Sequence, residues 1–217
     1  MAKLRETENI WILGIFLGVT GLLAALILSV VSQLTAKPIE DAKIRTRTKA
    51  LKQLNLPEFD NNMSETEVVV GNVKFMTAKK GGKIVGYAAE SSNNSGYNGK
   101  ISALAGFDAD GKILAVQILS HNETPGLGAA VCERKFQRTI FNIAKPQPAG
   151  LPPNPILDQF NGKSAANTAN WKISKDGGPF VFKTGATVSS RAVAALVESI
   201  VLEFPAAQKL LNSGDAK

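Results

Sequence analysis

The first feature of the chain is an uncharged, apolar run near its start. No charged residue occurs from Asn9 to Ala36, and Ile10–Val31 is almost continuously apolar. A helix of about 20 apolar residues crosses the hydrocarbon core of a bilayer. A cleaved signal peptide is the alternative, because Lys3 and Arg5 precede the run, but such a peptide has an apolar core of typically about 7–15 residues. The length therefore favours a retained membrane anchor.

Alternating apolar and charged residues follow the anchor and then give way to strand-like segments. Residues 37–56 read as a helical stretch that starts near Pro38. Gly-rich and Asp-Gly turns at Lys80–Lys83 and Asp108–Gly111 separate strand-like runs, as in β-hairpins. The predicted strands are Val68–Met76, Ile84–Glu90, Lys100–Phe107 and Lys112–Ser120. Two hairpins predict an antiparallel sheet.

The second half of the chain contributes helices and irregular segments. An apolar stripe predicts a helix from Ser189 to Phe204, ended by Pro205. Further predictions are a short helix Ala129–Arg138, an extended or looped stretch containing Pro146, Pro148, Pro152, Pro153 and Pro155, a weak strand Trp171–Ser174 and a turn at Asp176–Pro179. We therefore expect an α+β fold with three parts: residues 1–36 as N-terminus and transmembrane helix, 37–60 as helical connector and 61–217 as folded domain.

Composition and charge narrow the function classes. Hydrophobic residues make up 44% and charged residues 20% of the 217 residues, as in ordinary globular proteins. The single cysteine, Cys132, and the single histidine, His121, exclude an intrachain disulfide and a multi-His or multi-Cys metal site. The formal net charge is +7, but six basic and two acidic residues fall within 37–52. Without an aromatic-basic motif, this cluster favours anionic lipid head groups over nucleic acid.

One candidate for ligand binding precedes the last predicted helix. The segment Thr184–Ser190 contains Gly185, Ala186, Thr187 and Ser189, and Arg191 follows it. Small residues allow close approach of a ligand, and helix N-terminal amides favour a phosphate. Arg191 or Lys183 could contribute charge to such an anion site. The alternative is that Thr187 or Ser189 simply caps the helix.

A second candidate is the polar loop after the last predicted strand. The run His121–Gly128 includes Glu123, Thr124, Gly126 and Leu127. A polar loop with Pro and Gly at a strand end is a usual place for ligand binding. Glu123 has no second carboxylate at a spacing known for acid–base catalysis, so no proton-transfer role is assigned to it. Gly96-Tyr97-Asn98-Gly99 forms a third glycine-rich turn.

Taken together and in this order, the motifs resemble the G subunit of the Rnf-type ion-translocating electron transport complexes, which belongs to the FMN-binding domain family. The resemblance rests on the anchor, Gly96–Gly99, Glu123–Gly128, Asp176-Gly177-Gly178 and Gly185-Ala186-Thr187. It implies that FMN is joined through its phosphate to a threonine, which corresponds to Thr187 in this chain. It also implies that a separate flavin transferase makes this bond. It also implies that the Glu123–Gly128 loop borders the flavin, with Glu123, Thr124, Gly126, Leu127, Gly185, Ala186, Ser189 and Ser190 as cofactor-binding residues.

The resemblance further implies an electron relay rather than an enzyme with independent turnover. The partners would be other membrane and redox subunits, and the folded domain would lie on the periplasmic side of the inner membrane. The count of basic residues points to the opposite orientation, but large domains translocate largely regardless of charge. The family commonly has an acidic residue where this chain has Val181. The C subunit of the sodium-pumping NADH:quinone reductase and a flavin-free scaffold domain remain alternatives.

Overall fold

The N-terminal part of the chain is one long helix. The computed structural model describes residues 10–136, 150–166 and 170–213. Helix α1 runs Ile10–Lys52, and the chain divides into two compact units, Met1–Thr46 and Arg47–Lys217. Within the described ranges, α1 alone is long and apolar enough to cross a membrane. Its apolar side chains up to Leu34 are exposed, as the surface of a membrane span would be.

Two details of this helix differ from the sequence-based expectation. Pro38, predicted near a helix start, lies inside α1. The apolar run before the proline is itself helical, so α1 begins well before Pro38. Long membrane helices tolerate proline. The predicted helical stretch to Leu56 ends at Lys52, and residues 55–60 contain no helix.

The second unit is built on a five-stranded antiparallel sheet with strand order β1-β2-β3-β4-β5. The strands are β1 Val68–Val70, β2 Val73–Lys80, β3 Lys83–Gly96, β4 Gly99–Asp108 and β5 Ile113–Ser120. Each strand pairs with the next one along the chain. The predicted antiparallel sheet within an α+β fold is confirmed.

Two predicted strand boundaries are wrong. The expected strand Val68–Met76 is split into β1 and β2, because Gly71 adopts φ +58° and turns the chain. This left-handed conformation is one that glycine adopts at little cost. Conversely, residues 91–98, which lie between the predicted strands Ile84–Glu90 and Lys100–Phe107, are mostly strand. Strand β3 continues to Gly96, and only Tyr97 and Asn98 form the turn to β4. The polar residues of β3 are held by pairing with β4, which local composition does not reveal.

Apolar side chains cover both faces of the sheet. Successive side chains in a strand point to opposite faces, so Phe75 and Met76 of β2 enter two different clusters. On one face Phe107 packs against Phe204, with ring centroids 4.5 Å apart. The other face is covered by the residues that follow Arg47, including Leu51 and Leu54. Coverage on both faces explains why β4 is buried along most of its length.

The long C-terminal helix packs on the first face. Helix α4 runs Thr187–Ser213 and contains Pro205, so the predicted start at Ser189 and end at Phe204 are both wrong. Proline removes one backbone donor and normally ends a helix. Here the helix continues because Ala207 and Leu211 are buried in the core. The hydroxyl of Tyr87 also donates to Asn212 Oδ1 at 2.9 Å.

Two short α-helices follow β5 and precede α4 along the chain. They are α2 Ala129–Cys132 and α3 Pro155–Asp158. The predicted helix to Arg138 ends early because Glu133 is extended and Arg134 turns inward, donating to Val116 O and Asp158 Oδ1. Residues 137 and 138 lie outside the described residues. Buried Asn154 caps α3 and donates to Val131 O and Glu133 O, which holds the end of α2.

The remaining irregular segments also correct the expectation. The weak strand Trp171–Ser174 is replaced by one bridge between Ile173 and Phe180 and a 3₁₀ helix, Ser174–Asp176. The predicted turn after Asp176 is present, with Gly177 in the left-handed region. Pro152 and Pro153 lie in a segment without helix or strand and Pro155 opens α3, whereas Pro146 and Pro148 lie outside the described residues.

Candidate functional site

Three segments that are distant in sequence meet at one pocket. They are the turn between β3 and β4, the loop 121–128 after β5, and the start of α4. The pocket has a volume of about 470 Å³, within the usual range of about 300–1,000 Å³ for small-molecule sites. Its lining residues are Tyr97, Glu123, Thr124, Leu127, Gly128, Gly185, Ala186, Thr187, Val188 and Ser189.

The start of α4 forms one wall. Ala186 N donates to Lys183 O at 2.9 Å, and Ser190 N donates to Ala186 O at 2.9 Å, so the chain enters the helix through a tight turn. Gly185 has φ +84°, a conformation that L side chains rarely adopt. Half-buried Thr187 is the first residue of α4, not a residue that precedes the helix as expected. The first N–H groups of a helix lack acceptors within the helix, so this wall offers amide donors to a ligand.

The two serines that were assigned to the cofactor each make a hydrogen bond within the protein. Buried Ser189 donates its hydroxyl hydrogen to Glu123 Oε2, so this hydroxyl does not cap the helix. Ser190 is buried as well, and its Oγ accepts from Lys183 N at 3.2 Å. Ser190 thereby holds the turn before α4.

Loop 121–128 forms the second wall. Glu123 is only 6% exposed, and its Oε1 accepts from the backbone N of Asn98 at 3.2 Å. The side-chain Nδ2 of Asn98 also reaches Thr124 Oγ1 at 3.3 Å. His121 accepts from Glu123 N through Nδ1 at 3.2 Å, so His121 supports the loop rather than the pocket. These contacts connect the loop to the turn between β3 and β4.

The pocket has an apolar rim. Tyr97 is 70% exposed and Leu127 is 48% exposed, and Val188 is exposed beside them. Large exposed apolar side chains around a concave site are typical of sites that cover an apolar or aromatic ligand. Leu127 also approaches the start of α4, since a Cβ added at Gly185 would lie 3.4 Å from Leu127 Cδ2.

The one charged residue among the described residues that line the pocket is Glu123. The lining residues, all within the described part of the chain, include no lysine or arginine. Arg191 instead binds Asp176 with two contacts of 2.7 Å. The hydrogen bond from Arg191 lowers the pKa of Asp176, and the same contact raises the pKa of Arg191. The helix amides therefore supply the positive potential that would favour a phosphate at Thr187.

The pocket gathers most, but not all, of the residues singled out from the sequence. Thr187, Gly185, Ala186, Ser189, Glu123, Thr124 and Leu127 line it, whereas Gly126 and Ser190 are not among the lining residues. Sequence reasoning did not assign Tyr97, Gly128 and Val188 to the site, although all three lie inside or beside the motifs. Tyr97 follows Gly96, Val188 follows Thr187, and Gly128 is the last residue of the run His121–Gly128.

The three segments that form the pocket lie within a match to a known domain family. The FMN-binding domain family matches residues 96–201, which span the turn after β3, loop 121–128 and most of α4. The chain therefore carries an FMN-binding domain.

Comparison with curated proteins gives the particular family. The G subunit of the ion-translocating oxidoreductase complex of Haemophilus influenzae (strain PittEE) is 35% identical over 188 residues, which cover 83% of this chain and 83% of that protein. The corresponding protein of Pseudomonas aeruginosa (strain UCBPP-PA14) is 30% identical over 209 residues, with 91% and 89% covered. That of Shewanella loihica is 30% identical, with 96% and 94% covered. The chain belongs to the family of G subunits of ion-translocating oxidoreductase complexes, which confirms the resemblance drawn from the motifs.

Proposed function

We propose that this protein is a membrane-anchored flavoprotein subunit that relays electrons through an FMN esterified to Thr187. The relay would work within an ion-translocating oxidoreductase complex, as the names of the relatives state for those proteins. The subunit itself would turn over no substrate. Other membrane and redox subunits would be its partners, and a flavin transferase would install the cofactor.

One observation carries the proposal. Thr187 is the first residue of α4 and lines the pocket together with Leu127 and Tyr97. A hydroxyl at this position lies beside the unsatisfied amides of the first helical turn, which favour a phosphate. The apolar rim lies on the same pocket and offers surface for an aromatic ring system. One site thus offers both an attachment point and a ring-binding surface.

The residues present fit FMN by their chemistry. Gly185 and Ala186 have small side chains or none, so they leave room for a ligand to approach the first turn of α4. Leu127 provides an apolar wall. Bound FMN supplies redox chemistry that amino-acid side chains lack, and the protein contributes position and potential. In forming the ester from a flavin dinucleotide donor, the Oγ–H bond of Thr187 and the phosphoanhydride bond at the FMN phosphorus would break and an Oγ–P bond would form. The nucleoside monophosphate would leave together with the proton.

We further propose a membrane placement for the chain, which helix α1 supports. Helix α1 has the length and composition of a span, and we assign it to the inner membrane with the N-terminus in the cytoplasm. The unit Arg47–Lys217 would then lie on the periplasmic side. Cysteine labelling from outside the cell tests this: a cysteine introduced at exposed Val69 should react with an impermeant maleimide in intact spheroplasts. Reaction only after lysis would contradict the assignment.

A flavin-free scaffold domain is the second candidate, and Val181 is the observation that favours it. This apolar residue is 62% exposed beside the acceptor segment, at the position where the family commonly has an acidic side chain. The two candidates differ in one measurable property. When the full chain is expressed with a flavin transferase, intact-mass analysis should show the added flavin mononucleotidyl group, whereas the scaffold would keep the mass of the bare chain.

A further inference from the structure

Glu123 lies at the junction of all three segments that form the pocket. Its Oε1 accepts from Asn98 N in the turn between β3 and β4, and its Oε2 accepts from Ser189 Oγ in the first turn of α4. Its own backbone belongs to loop 121–128. The partners are 25 and 66 residues away in sequence, and the side chain is buried. One carboxylate therefore connects the three walls.

Two glycines make room for this carboxylate. A Cβ added at Gly96 would lie 2.6 Å from Glu123 Oε1, and one added at Gly128 would collide with Glu123 Oε2. The Cβ at Gly128 would also meet Ser189 Oγ. Real Cβ atoms do not approach so closely. The Glu123 side chain thus occupies the space beside both glycines, and at Gly96 the carbonyl oxygen of Gly99, 2.5 Å from the added Cβ, excludes a side chain as well.

We propose that Glu123 is a positioning residue, which acts on the cofactor through Asn98 and Ser189. By accepting from both, the carboxylate fixes the turn that carries Tyr97 and the helical turn that carries Thr187. This proposal rests on the proposed function, because the pocket that these walls form is the one assigned to FMN. Glu123 lines the pocket, but each of its two oxygens already has a donor within the protein.

A positioning role and a charge role predict different effects of the same substitution. Glutamine has the shape of glutamate and keeps one oxygen that can accept from Asn98 N, while its NH₂ group can donate to Ser189 Oγ. Glu123→Gln therefore preserves the connection and removes the charge. Glu123→Ala removes both and leaves the buried Ser189 hydroxyl and the half-buried amide of Asn98 without their acceptor, and an unsatisfied buried donor is costly.

The test uses the full chain in detergent, expressed together with a flavin transferase. We would compare wild type with Glu123→Gln, Glu123→Ala and Ser189→Ala, and use Glu133→Ala as the control, since Glu133 does not line the pocket. The readouts are the initial rate of flavin incorporation, the flavin midpoint potential and the melting temperature. Glu123→Gln should incorporate flavin at the wild-type rate with an unchanged potential, whereas Glu123→Ala should be about tenfold slower.

A second readout does not depend on flavin. Amide hydrogen exchange of Asn98 in the flavin-free protein should accelerate in Glu123→Ala and stay slow in Glu123→Gln, because the amide of Asn98 donates directly to this carboxylate. Ser189→Ala is a milder variant that distinguishes a loss of positioning from a general folding defect. It removes the contact between Ser189 and Glu123 and leaves the contact between Asn98 and Glu123 in place.

The outcomes separate the two proposals. Glu123→Ala with wild-type flavin incorporation and wild-type exchange would overturn the positioning role. A shifted flavin midpoint potential in Glu123→Gln would also overturn it, because it would show that the negative charge of Glu123 acts directly on the flavin. A wild-type protein that carries no flavin would contradict the proposed function, and the exchange measurement would then still decide the role of Glu123.

Discussion

Arg191 on the first turns of α4 holds Asp176 through two contacts of 2.7 Å, from Nε to Oδ2 and from Nη2 to Oδ1. This paired geometry is the favoured one between a guanidinium and a carboxylate. It ties the 3₁₀ turn Ser174–Asp176 to the helix that begins at Thr187. The arginine nearest in sequence to Thr187 is therefore paired with a carboxylate of the protein.

This pair leads to a prediction for flavin loading. Arg191→Gln should leave flavin incorporation close to wild type, because the pocket obtains its positive potential from helix amides. In-gel flavin fluorescence of the co-expressed protein measures this, with Asp176→Asn as the matched variant that breaks the same pair. A loss of fluorescence in Arg191→Gln alone would assign Arg191 to the phosphate.

The same pair has a defined pH dependence. Because the pKa of Asp176 is lowered in the folded protein, its contribution to stability is present above the ordinary aspartate pKa and is lost as the pH falls through the lowered value. Both side chains are close to solvent, so we expect a small effect on the melting temperature.

Val181 is the position where an acidic side chain should improve maturation. The backbone of Val181 is clamped by Gln159, which accepts from Val181 N at 2.7 Å and donates to Val181 O at 3.0 Å. Its exposed side chain can therefore change without moving the segment. We expect Val181→Asp to incorporate flavin several-fold faster than wild type in a timed reaction with a flavin transferase.

A matched control is available for this substitution. Val69→Asp places the same charge on an equally exposed valine of β1 and should leave the rate unchanged. Equal rates in wild type and Val181→Asp would show that the acidic position of the family is dispensable in this chain.

Cys132 should be unreactive while the protein is folded. Burial, and then the charges of Glu123 and Glu133, raises the pKa of the thiol to about 12. Since only the thiolate is nucleophilic, alkylation by iodoacetamide at pH 8 should be about a thousandfold slower than in denaturant. Mass spectrometry of timed samples checks this, and Cys132→Ala provides the unlabelled reference. Rapid labelling of the folded protein would contradict the buried position.

The raised thiol pKa also affects stability at alkaline pH. The unfolded thiol ionises near its ordinary pKa of 9.0, whereas the folded thiol stays protonated up to about 12. The free energy of unfolding should therefore be unaffected below pH 9 and fall as the pH rises above it. The decrease attributable to the thiol should be absent in Cys132→Ala when the two proteins are titrated side by side with urea.

Local signals predicted the fold where the local pattern decides the structure. Glycine- and aspartate-containing turns identified the hairpins, and the apolar stripe identified α4. The split at Gly71 was missed because the valines on both sides continue the same strand-like pattern. The continuation of α4 past Pro205 was missed because it depends on burial of Ala207 and Leu211 against residues far away in sequence.

The site was predictable in its parts but not in its assembly. The motifs around Thr187 and Leu127 are visible as small or polar residues beside predicted elements. The contact between Glu123 and Ser189 joins residues 66 positions apart, and no local sequence pattern predicts it. Tyr97 was for the same reason not assigned to the pocket, since only the extension of β3 brings its turn there.

The most direct test of the central claim is in-gel flavin fluorescence after denaturing electrophoresis. Wild type, Thr187→Ala and Thr184→Ala would each be expressed as the full chain with a flavin transferase. Thr184 is the matched control, because it is an exposed threonine three residues earlier that does not line the pocket. We predict fluorescent bands for wild type and Thr184→Ala and complete loss in Thr187→Ala. A dark wild-type band, or a fluorescent Thr187→Ala band, would contradict covalent FMN at Thr187.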